Sequence, residues 1–323
     1  MKVYDAANIR NVALVGHSAS GKTQLTSASL FDAGAVNRFG KVDDGTTITD
    51  YDEEEIARKH TLSASLAYAE EGVLQISPAS TNPRFTDDGG WNTFRTCGRD
   101  DQQGQVAGKY IAENLKGQRV AILHDNSAYG KGLADETKKS LNAAGAQETL
   151  YAAYTPGERD YSAVVSRLQQ ANVQVVYVGG YHTEAGLILR QAKERGMNVT
   201  LIGGDALVTN EFWQITGGAG EGTLMTFSSD PRRRPQAAEV VQRFRARNID
   251  PEGYVLYTYA AIQTWAQAAD KIKNLDPRRI ADALKTQGPW QTVLGDISFD
   301  RKGDVTVPDY VFYVWKNGSY SQM

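Results

Sequence analysis

The chain has 323 residues, of which 41% are hydrophobic and 23% are charged, and its formal net charge is -3. This length is enough for two domains that each bury a core. No apolar run reaches the roughly eighteen residues that span a membrane, so we expect no membrane insertion. The slightly acidic balance, with one short basic cluster at 232–234, argues against nucleic-acid binding.

The N-terminal segment, MKVYDAANIRNVALVG, does not have the pattern of a secretory signal peptide. One basic residue is followed by Asp5 and Asn8, and the apolar run is only five residues long. On this sequence alone the chain would stay in the cytoplasm, where it is made. Cys97 is the only cysteine, so an intramolecular disulfide is excluded and the redox compartment stays open.

The first 70 residues predict a buried strand at 11–15, a glycine turn and a helix from 22 to about 32. The turn, GHSASGKT at 16–23, fits the phosphate-loop pattern G-x-x-x-x-G-K-[ST] in every fixed position. Its glycines would let successive N–H groups point at phosphate oxygens, at the positive end of the following helix. The candidate phosphate-binding residues are Gly16, Ser20, Gly21, Lys22 and Thr23. The alternative is a glycine-rich turn that binds nothing.

From Val73 onward, short apolar runs alternate with amphipathic helical segments. The runs predict strands at 73–77, 119–124, 147–153, 173–180, 199–204 and 221–229, and the segments predict helices at 104–115, 130–144, 161–172 and 183–196. Strands separated by helices form parallel sheets covered by helices, so the fold class is α/β. Ligands of such sheets bind beyond the carboxyl ends of the strands.

The C-terminal part predicts helices at 236–247, 255–273 and 277–286. Two strands follow, at 296–300 and 309–315, with RKGD at 301–304 as the turn between them. No catalytic group stands out. The four histidines are scattered, no serine lies in a G-x-S-x-G elbow, and the pairs at 87–88 and 100–101 have the pattern of solvated turn and helix-start charges. We therefore expect no enzyme activity and no metal site.

Long stretches of this larger part, among them YAEEGVLQISPASTNPRFT, AILHDNSAYGKGLAD and VVYVGGYHTEAGLILRQAKERG, resemble the periplasmic leucine/isoleucine/valine-binding proteins. The resemblance covers residues from about 69 to 323 and lacks the family's first strands. It implies a type I periplasmic-binding-protein fold, with two Rossmann-like lobes that close over the ligand. Lobe 1 would hold 71–98 and 230–295, and lobe 2 would hold 99–229 and 296–323. Leucine, isoleucine or valine would be the ligand, an ABC transporter permease the partner, and the periplasm the location.

The same resemblance implies the ligand-binding residues. Ala79 and Thr81, in the SPAST loop, match positions that bind the α-carboxylate through backbone N–H and hydroxyl groups. Asp205 matches the acidic residue that pairs with the α-ammonium. The matching aromatic positions of the cleft are Tyr129, Tyr181 and Tyr254. Donors, an anion and an apolar wall are what a zwitterionic amino acid requires, although each of these residues alone is typical of a turn, a cap or simple packing.

Residues 9–70, with NVALVGHSASGKT, GTTITDYDEEE and RKHTLSASLAYAE, resemble the start of the GTPase domain of elongation factor G-like proteins. In that resemblance Thr61, with Thr23, would contact the Mg²⁺ of bound GTP or GDP. The D-x-x-G and N-K-x-D loops of such GTPases do not follow in a plausible place, so we expect no GTP hydrolysis.

The chain thus resembles a chimera, in which residues 1–70 would complete lobe 1 and turn the phosphate loop toward the cleft. We predict a helix, rather than a GTPase strand, within 52–71. Three outcomes stay open: amino-acid binding, phosphate or guanine-nucleotide binding, and a chimera that binds neither.

Overall fold

A computed structural model of the chain describes residues 74–307 and 309–323, together with residues 41, 42 and 44. The phosphate-loop residues Gly16, Ser20, Gly21, Lys22 and Thr23 lie outside the described residues, as do Thr61 and the elements predicted within 1–73. Those predictions stay untested.

The strands begin with a pair near the start of the described chain and end with two antiparallel strands at the C-terminus. They are β1 (Gln75–Ser77), β2 (Thr93–Arg95), β3 (Val120–His124), β4 (Leu150–Ala153), β5 (Val175–Gly179), β6 (Thr200–Gly203), β7 (Leu224–Phe227), β8 (Trp290–Thr292), β9 (Gly295–Ile297), β10 (Val311–Lys316) and β11 (Ser319–Gln322).

Helices connect most of these strands. They are α1 (Arg84–Asp87), α2 (Asp100–Asn114), α3 (Ala128–Ala143), α4 (Ser162–Gln170), α5 (His182–Glu194), α6 (Asn210–Thr216), α7 (Ala238–Arg245), α8 (Val255–Ile272) and α9 (Pro277–Thr286). A short 3₁₀ turn at Asp205–Leu207 follows β6. None of the helices that the structure describes is long and apolar enough to cross a membrane.

The larger layer is a seven-stranded sheet in the order β11-β10-β7-β6-β5-β3-β4. Strands β3 to β7 are parallel to one another, and β10 pairs antiparallel with both β7 and β11. Along β3, Val120 and Ile122 enter one core cluster, whereas Ala121 and Leu123 enter another. This alternation means that both faces of the sheet are covered, which explains the continuous apolar runs in the sequence.

The smaller layer contains the parallel pair β1–β2, the helices α8 and α9, and the hairpin β8–β9. Its core consists mainly of Phe94, Ile280, Leu284, Trp290 and Phe299, all of them buried. The α/β class, with a mostly parallel larger sheet, is therefore confirmed. The exact residues at which one lobe passes into the other stay a prediction.

The sequence-based pairing of the last strands is wrong. The turn at 301–304 does not join 296–300 to the strand at 309–315, because Phe299 bridges Val305 and β9 pairs with β8. Asp300 Oδ1 accepts hydrogen bonds from the backbone N–H groups of Lys302, Gly303 and Asp304, which closes the turn tightly on itself. The later strand, β10, joins the larger sheet instead.

Candidate functional site

The loops that carry the candidate residues follow the carboxyl ends of parallel strands. Loop 78–83 follows β1, Tyr129 lies in the first turn of α3 after β3, Tyr181 follows β5, and Asp205 follows β6. Because the carboxyl ends of parallel strands share one edge of a sheet, Tyr129, Tyr181 and Asp205 lie at the same edge of the larger sheet.

The carboxylate of Asp205 is the centre of a hydrogen-bonded cluster. The hydroxyl of Tyr129 donates to Oδ1 at 2.9 Å, and the hydroxyl of Tyr254 donates to Oδ2 at 2.6 Å. The side-chain amide of Gln103 also donates to Oδ1, at 2.8 Å. These three donors fix the carboxylate in one orientation. The residue is almost completely buried, with 6% of its surface exposed. The structure thus brings together three of the residues that the sequence analysis singled out.

Gln103, on α2, is a fully buried member of this cluster that the sequence analysis missed. Its amide oxygen accepts hydrogen bonds from the backbone N–H of Asp205 at 2.9 Å and from the hydroxyl of Thr226 at 2.8 Å. Gly204 permits this close arrangement, since a Cβ there would lie 3.0 Å from the Tyr129 hydroxyl oxygen. Nothing in the sequence distinguishes Gln103 from its neighbour Gln102, so no signal could have found it.

Asp100 is a second buried carboxylate, and here the prediction of a solvated charge is wrong. It does begin helix α2, but it is 0% exposed because loop 78–83 and Gln103 enclose it. Its backbone N–H donates to the carbonyl of Thr81 at 2.8 Å, and Gln103 donates to its Oδ1 at 3.3 Å. Burial raises the pKa of Asp100 well above its usual value, and the charge of Asp205 raises it further. A raised pKa favours the neutral form of Asp100, so the negative charge that a cationic ligand group would meet here is that of Asp205.

On the smaller layer, loop 78–83 carries the other candidate residues, Ala79 and Thr81. Ser77 Oγ accepts hydrogen bonds from the backbone N–H groups of Ala79 at 3.3 Å and of Ser80 at 2.9 Å. Thr81 is 1% exposed, and its hydroxyl lies beside the carboxyl group of Asp100, where it opposes the rise in the pKa of that acid. A hydroxyl can donate one hydrogen bond and accept others, so Thr81 can also contact a ligand.

Aromatic rings border the cluster. The rings of Tyr129 and Tyr181 have centroids 5.2 Å apart, and Tyr181 is 44% exposed at the edge of the site. Burial raises the pKa of the Tyr181 phenol to about 12, so it stays neutral at physiological pH. Tyr254 packs edge-on against Phe227 with centroids 5.1 Å apart. The rings supply an apolar border beside the charged groups.

Tyr310, which the sequence analysis did not single out, also belongs to this neighbourhood. Its ring packs against Gly98, where a Cβ would lie 2.5 Å from the ring, and its hydroxyl has no partner within the described part of the chain. Burial raises the pKa of this phenol, with a further contribution from the charge of Asp205. In the same part of the chain, no group of three or more His, Cys, Asp or Glu side chains could hold a metal ion.

Comparison with known proteins gives a consistent result. Residues 57–319 match the family model described as periplasmic binding protein. The chain is 54% identical over 259 residues to Leu/Ile/Val-binding protein homolog 1 of Brucella suis biovar 1, an alignment that covers 80% of this chain and 70% of that protein. The match to the family begins inside the block 1–70 that we compared with elongation factor G.

Solved structures agree on the fold. The crystal structure of the leucine binding protein LivK from Thermotoga maritima superposes with a TM-score of 0.72 at 25% identity, covering 94% of this chain and 83% of that one. An ABC transporter substrate-binding protein from Desulfitobacterium hafniense, solved in complex with Leu, has a TM-score of 0.63 at 27% identity and covers 78% of this chain and 73% of its own.

Proposed function

We propose that this chain, which belongs to the periplasmic binding protein family, binds leucine, isoleucine or valine between its two layers and delivers it to the permease of an ABC transporter. The observation that carries the proposal is the buried carboxylate of Asp205, held by three donors, one of which, Gln103, also bonds the buried carboxyl of Asp100. The family is one of binding proteins, which agrees with the expectation that the chain is not an enzyme.

The proposed pose follows from charge and hydrogen bonding. The α-ammonium lies beside Asp205, where Asp100 adds a second acidic group. The α-carboxylate lies against loop 78–83, where it takes donors from Thr81 and shares the Ala79 N–H with Ser77 Oγ, to which that N–H makes a long bond of 3.3 Å. The aliphatic side chain packs against the rings of Tyr129, Tyr181 and Tyr254, since these rings offer apolar surface and neutral hydroxyls.

The names of similar proteins support the ligand class. The Brucella suis relative is named for leucine, isoleucine and valine, and the Desulfitobacterium hafniense protein was solved with Leu. A transporter partner and a periplasmic location follow from the same comparison. The expectation of a cytoplasmic location rested on the first residues of the chain, which lie outside the described ones.

Thermal unfolding in the presence of each of the twenty amino acids tests the ligand class. A ligand that binds only the folded state stabilises it by about 2.7 kcal/mol at a hundred times its Kd, so the true ligands should raise the Tm clearly. We expect leucine, isoleucine and valine to do so and aspartate and lysine not to. A flat response to all twenty would contradict the proposal.

The phosphate-loop sequence GHSASGKT supports a second candidate, namely binding of phosphate or GDP without hydrolysis. Calorimetric titration of the native chain and of Lys22→Ala with GDP and with phosphate tests it. Heat from the native chain that Lys22→Ala abolishes would support both the phosphate site and the relation to a GTPase. The absence of heat in both proteins would leave the amino-acid site as the one binding function, and no response to leucine either would mean a chimera that binds neither.

A further inference from the structure

Arg95, at the end of strand β2, is fully buried directly behind loop 78–83. One of its terminal nitrogens donates to the carbonyls of Ser80 at 2.6 Å and of Asn82 at 3.0 Å. The other donates to the carbonyl of Pro83 at 3.4 Å and to the hydroxyl of Thr86 at 2.6 Å. One rigid guanidinium group thus binds three carbonyl groups of the loop, those of Ser80, Asn82 and Pro83.

The charge of Arg95 has a counterion of its own. Its Nε lies 2.6 Å from Asp304 Oδ1, and both side chains are almost completely buried. The hydroxyl of Thr86 donates to the same carboxylate oxygen at 2.8 Å. The four N–H groups of the terminal nitrogens donate to protein oxygens, and Nε lies against Asp304, so the buried guanidinium does not reach a ligand. Any effect of Arg95 on a ligand must act through the loop that it holds.

Because the peptide bond is planar, the hydrogen bonds from Arg95 to the loop carbonyls also fix the direction of the neighbouring N–H groups. In a trans peptide the carbonyl and the N–H point opposite ways. Because the Ser80 carbonyl points at Arg95, the N–H of Thr81 points away from Arg95. The hydroxyl of Thr81, on the same residue, lies beside the carboxyl group of Asp100. Arg95 thus sets the direction of the donors to which we assign the ligand carboxylate.

We propose that Arg95 is the positioning residue of the carboxylate-binding loop, holding its carbonyls so that the Thr81 donors face the carboxylate of the bound amino acid. This inference rests on the proposed function, since it names the support of that same site. It predicts that damage to Arg95 weakens the binding of a carboxylate more than the binding of the rest of the ligand.

Arg99 offers a matched control. It also pairs with Asp304, at 2.8 Å, and it binds Asp87 and Asp101, but it donates to no carbonyl of loop 78–83. Arg99→Lys therefore disturbs the same buried carboxylate without releasing the loop. Thr86→Val provides a milder perturbation of Arg95, because it keeps the bonds from the guanidinium to the loop carbonyls and removes the hydroxyl that accepts from Arg95 and Arg99 and donates to Asp304.

The test compares the affinities for leucine and for leucinamide, which keeps the ammonium and the side chain but has an amide in place of the carboxylate. For Arg95→Lys we expect leucine to bind about tenfold more weakly and leucinamide to change less than about twofold. Thr86→Val should show the same selectivity with a loss of about threefold for leucine, and Arg99→Lys should show no selectivity.

Equal losses for both ligands, or native affinity for leucine, in a folded Arg95→Lys would overturn the positioning role. If Arg95→Lys does not fold, the same two criteria apply to Thr86→Val. A native chain that binds neither ligand would overturn the proposed function instead, so the two failures are distinguishable.

Discussion

The two sides of the candidate site are built differently. On the larger sheet, Asp205 is held by side chains, with Tyr129, Tyr254 and Gln103 donating to it. On the smaller layer, loop 78–83 presents backbone groups and one hydroxyl, and a buried arginine holds it from behind. The ammonium side therefore depends on residue types, whereas the carboxylate side depends on backbone orientation. Substitutions on the two sides should therefore weaken ligand binding in different ways.

The largest expected effect is a loss of unfolding free energy when Asp304, the counterion of Arg95 on the loop side, is replaced. Asp304→Ala would leave the buried guanidinium of Arg95 without its partner, and breaking a buried pair in this way costs about 3 kcal/mol or more of unfolding free energy. Denaturant unfolding measures the loss. Asp270→Ala is the control, because Asp270 pairs with Lys273 at an exposed site and should cost less than about 0.5 kcal/mol. Equal costs would show that the loop support is not the buried charge pair that we describe.

The next effect concerns the ammonium side. Asp205→Asn keeps the size of the side chain but removes the charge, so leucine affinity should fall about a hundredfold while the free energy of unfolding changes little. Titration calorimetry measures the affinity. Asp282→Asn, at an exposed position of α9, should bind leucine as the native chain does. Retention of native affinity by Asp205→Asn would remove Asp205 from the site.

A smaller loss of leucine affinity is expected when one of the three donors to Asp205 is removed. Tyr254→Phe removes the hydroxyl that donates to Asp205 Oδ2 but keeps the ring against Phe227. Leucine affinity should fall by about 1 kcal/mol, or roughly fivefold, because the carboxylate loses one of its three donors. Tyr259→Phe, on the exposed side of α8, is the control. A loss as large as that of Asp205→Asn would mean that the Tyr254 hydroxyl itself bonds to the ligand, and does not act only through Asp205.

The smallest effect is a pH dependence on the loop side. Hydrogen bonds from Arg99 and Lys302 lower the pKa of Asp87 well below its usual range. A carboxyl whose pKa is lower in the folded state stabilises the protein above its unfolded pKa, near 3.8, and loses that contribution as the pH falls. Asp87→Asn should therefore be less stable than the native chain at pH 7 by under about 1 kcal/mol, since the site is partly exposed.

Unfolding measured across acidic pH checks this prediction. The stability difference between Asp87→Asn and the native chain should shrink as the pH falls below about 3.8. Asp88→Asn, which disturbs only an exposed pair with Arg84, should show no such trend. A difference that grows on acidification would have the wrong sign for a lowered pKa.

The sequence predicted the larger sheet well, because strands buried on both faces, such as Val120–His124 and Val175–Gly179, are almost continuous apolar runs. It missed Thr93–Arg95, Trp290–Thr292 and Ser319–Gln322, since three or four residues are too few to show a period.

The residues of the site also divide into those that could be predicted from the sequence and those that could not. Asp205, Tyr129 and Tyr254 could be named from residue type and the family resemblance, and the structure brings them into contact. Asp100 was misinterpreted because an acidic residue at the start of a helix has the same local pattern whether it is buried or solvated. Arg95 was not singled out at all, because its partners are backbone carbonyls, which leave no trace in the sequence.

The most direct test of the central claim is a calorimetric titration of the native chain with leucine, side by side with Asp205→Asn. We expect saturable binding of one leucine per chain, with an affinity about a hundredfold lower in the variant. A native chain that gives no heat with leucine, isoleucine or valine, or a variant that binds leucine as tightly as the native chain, would contradict it.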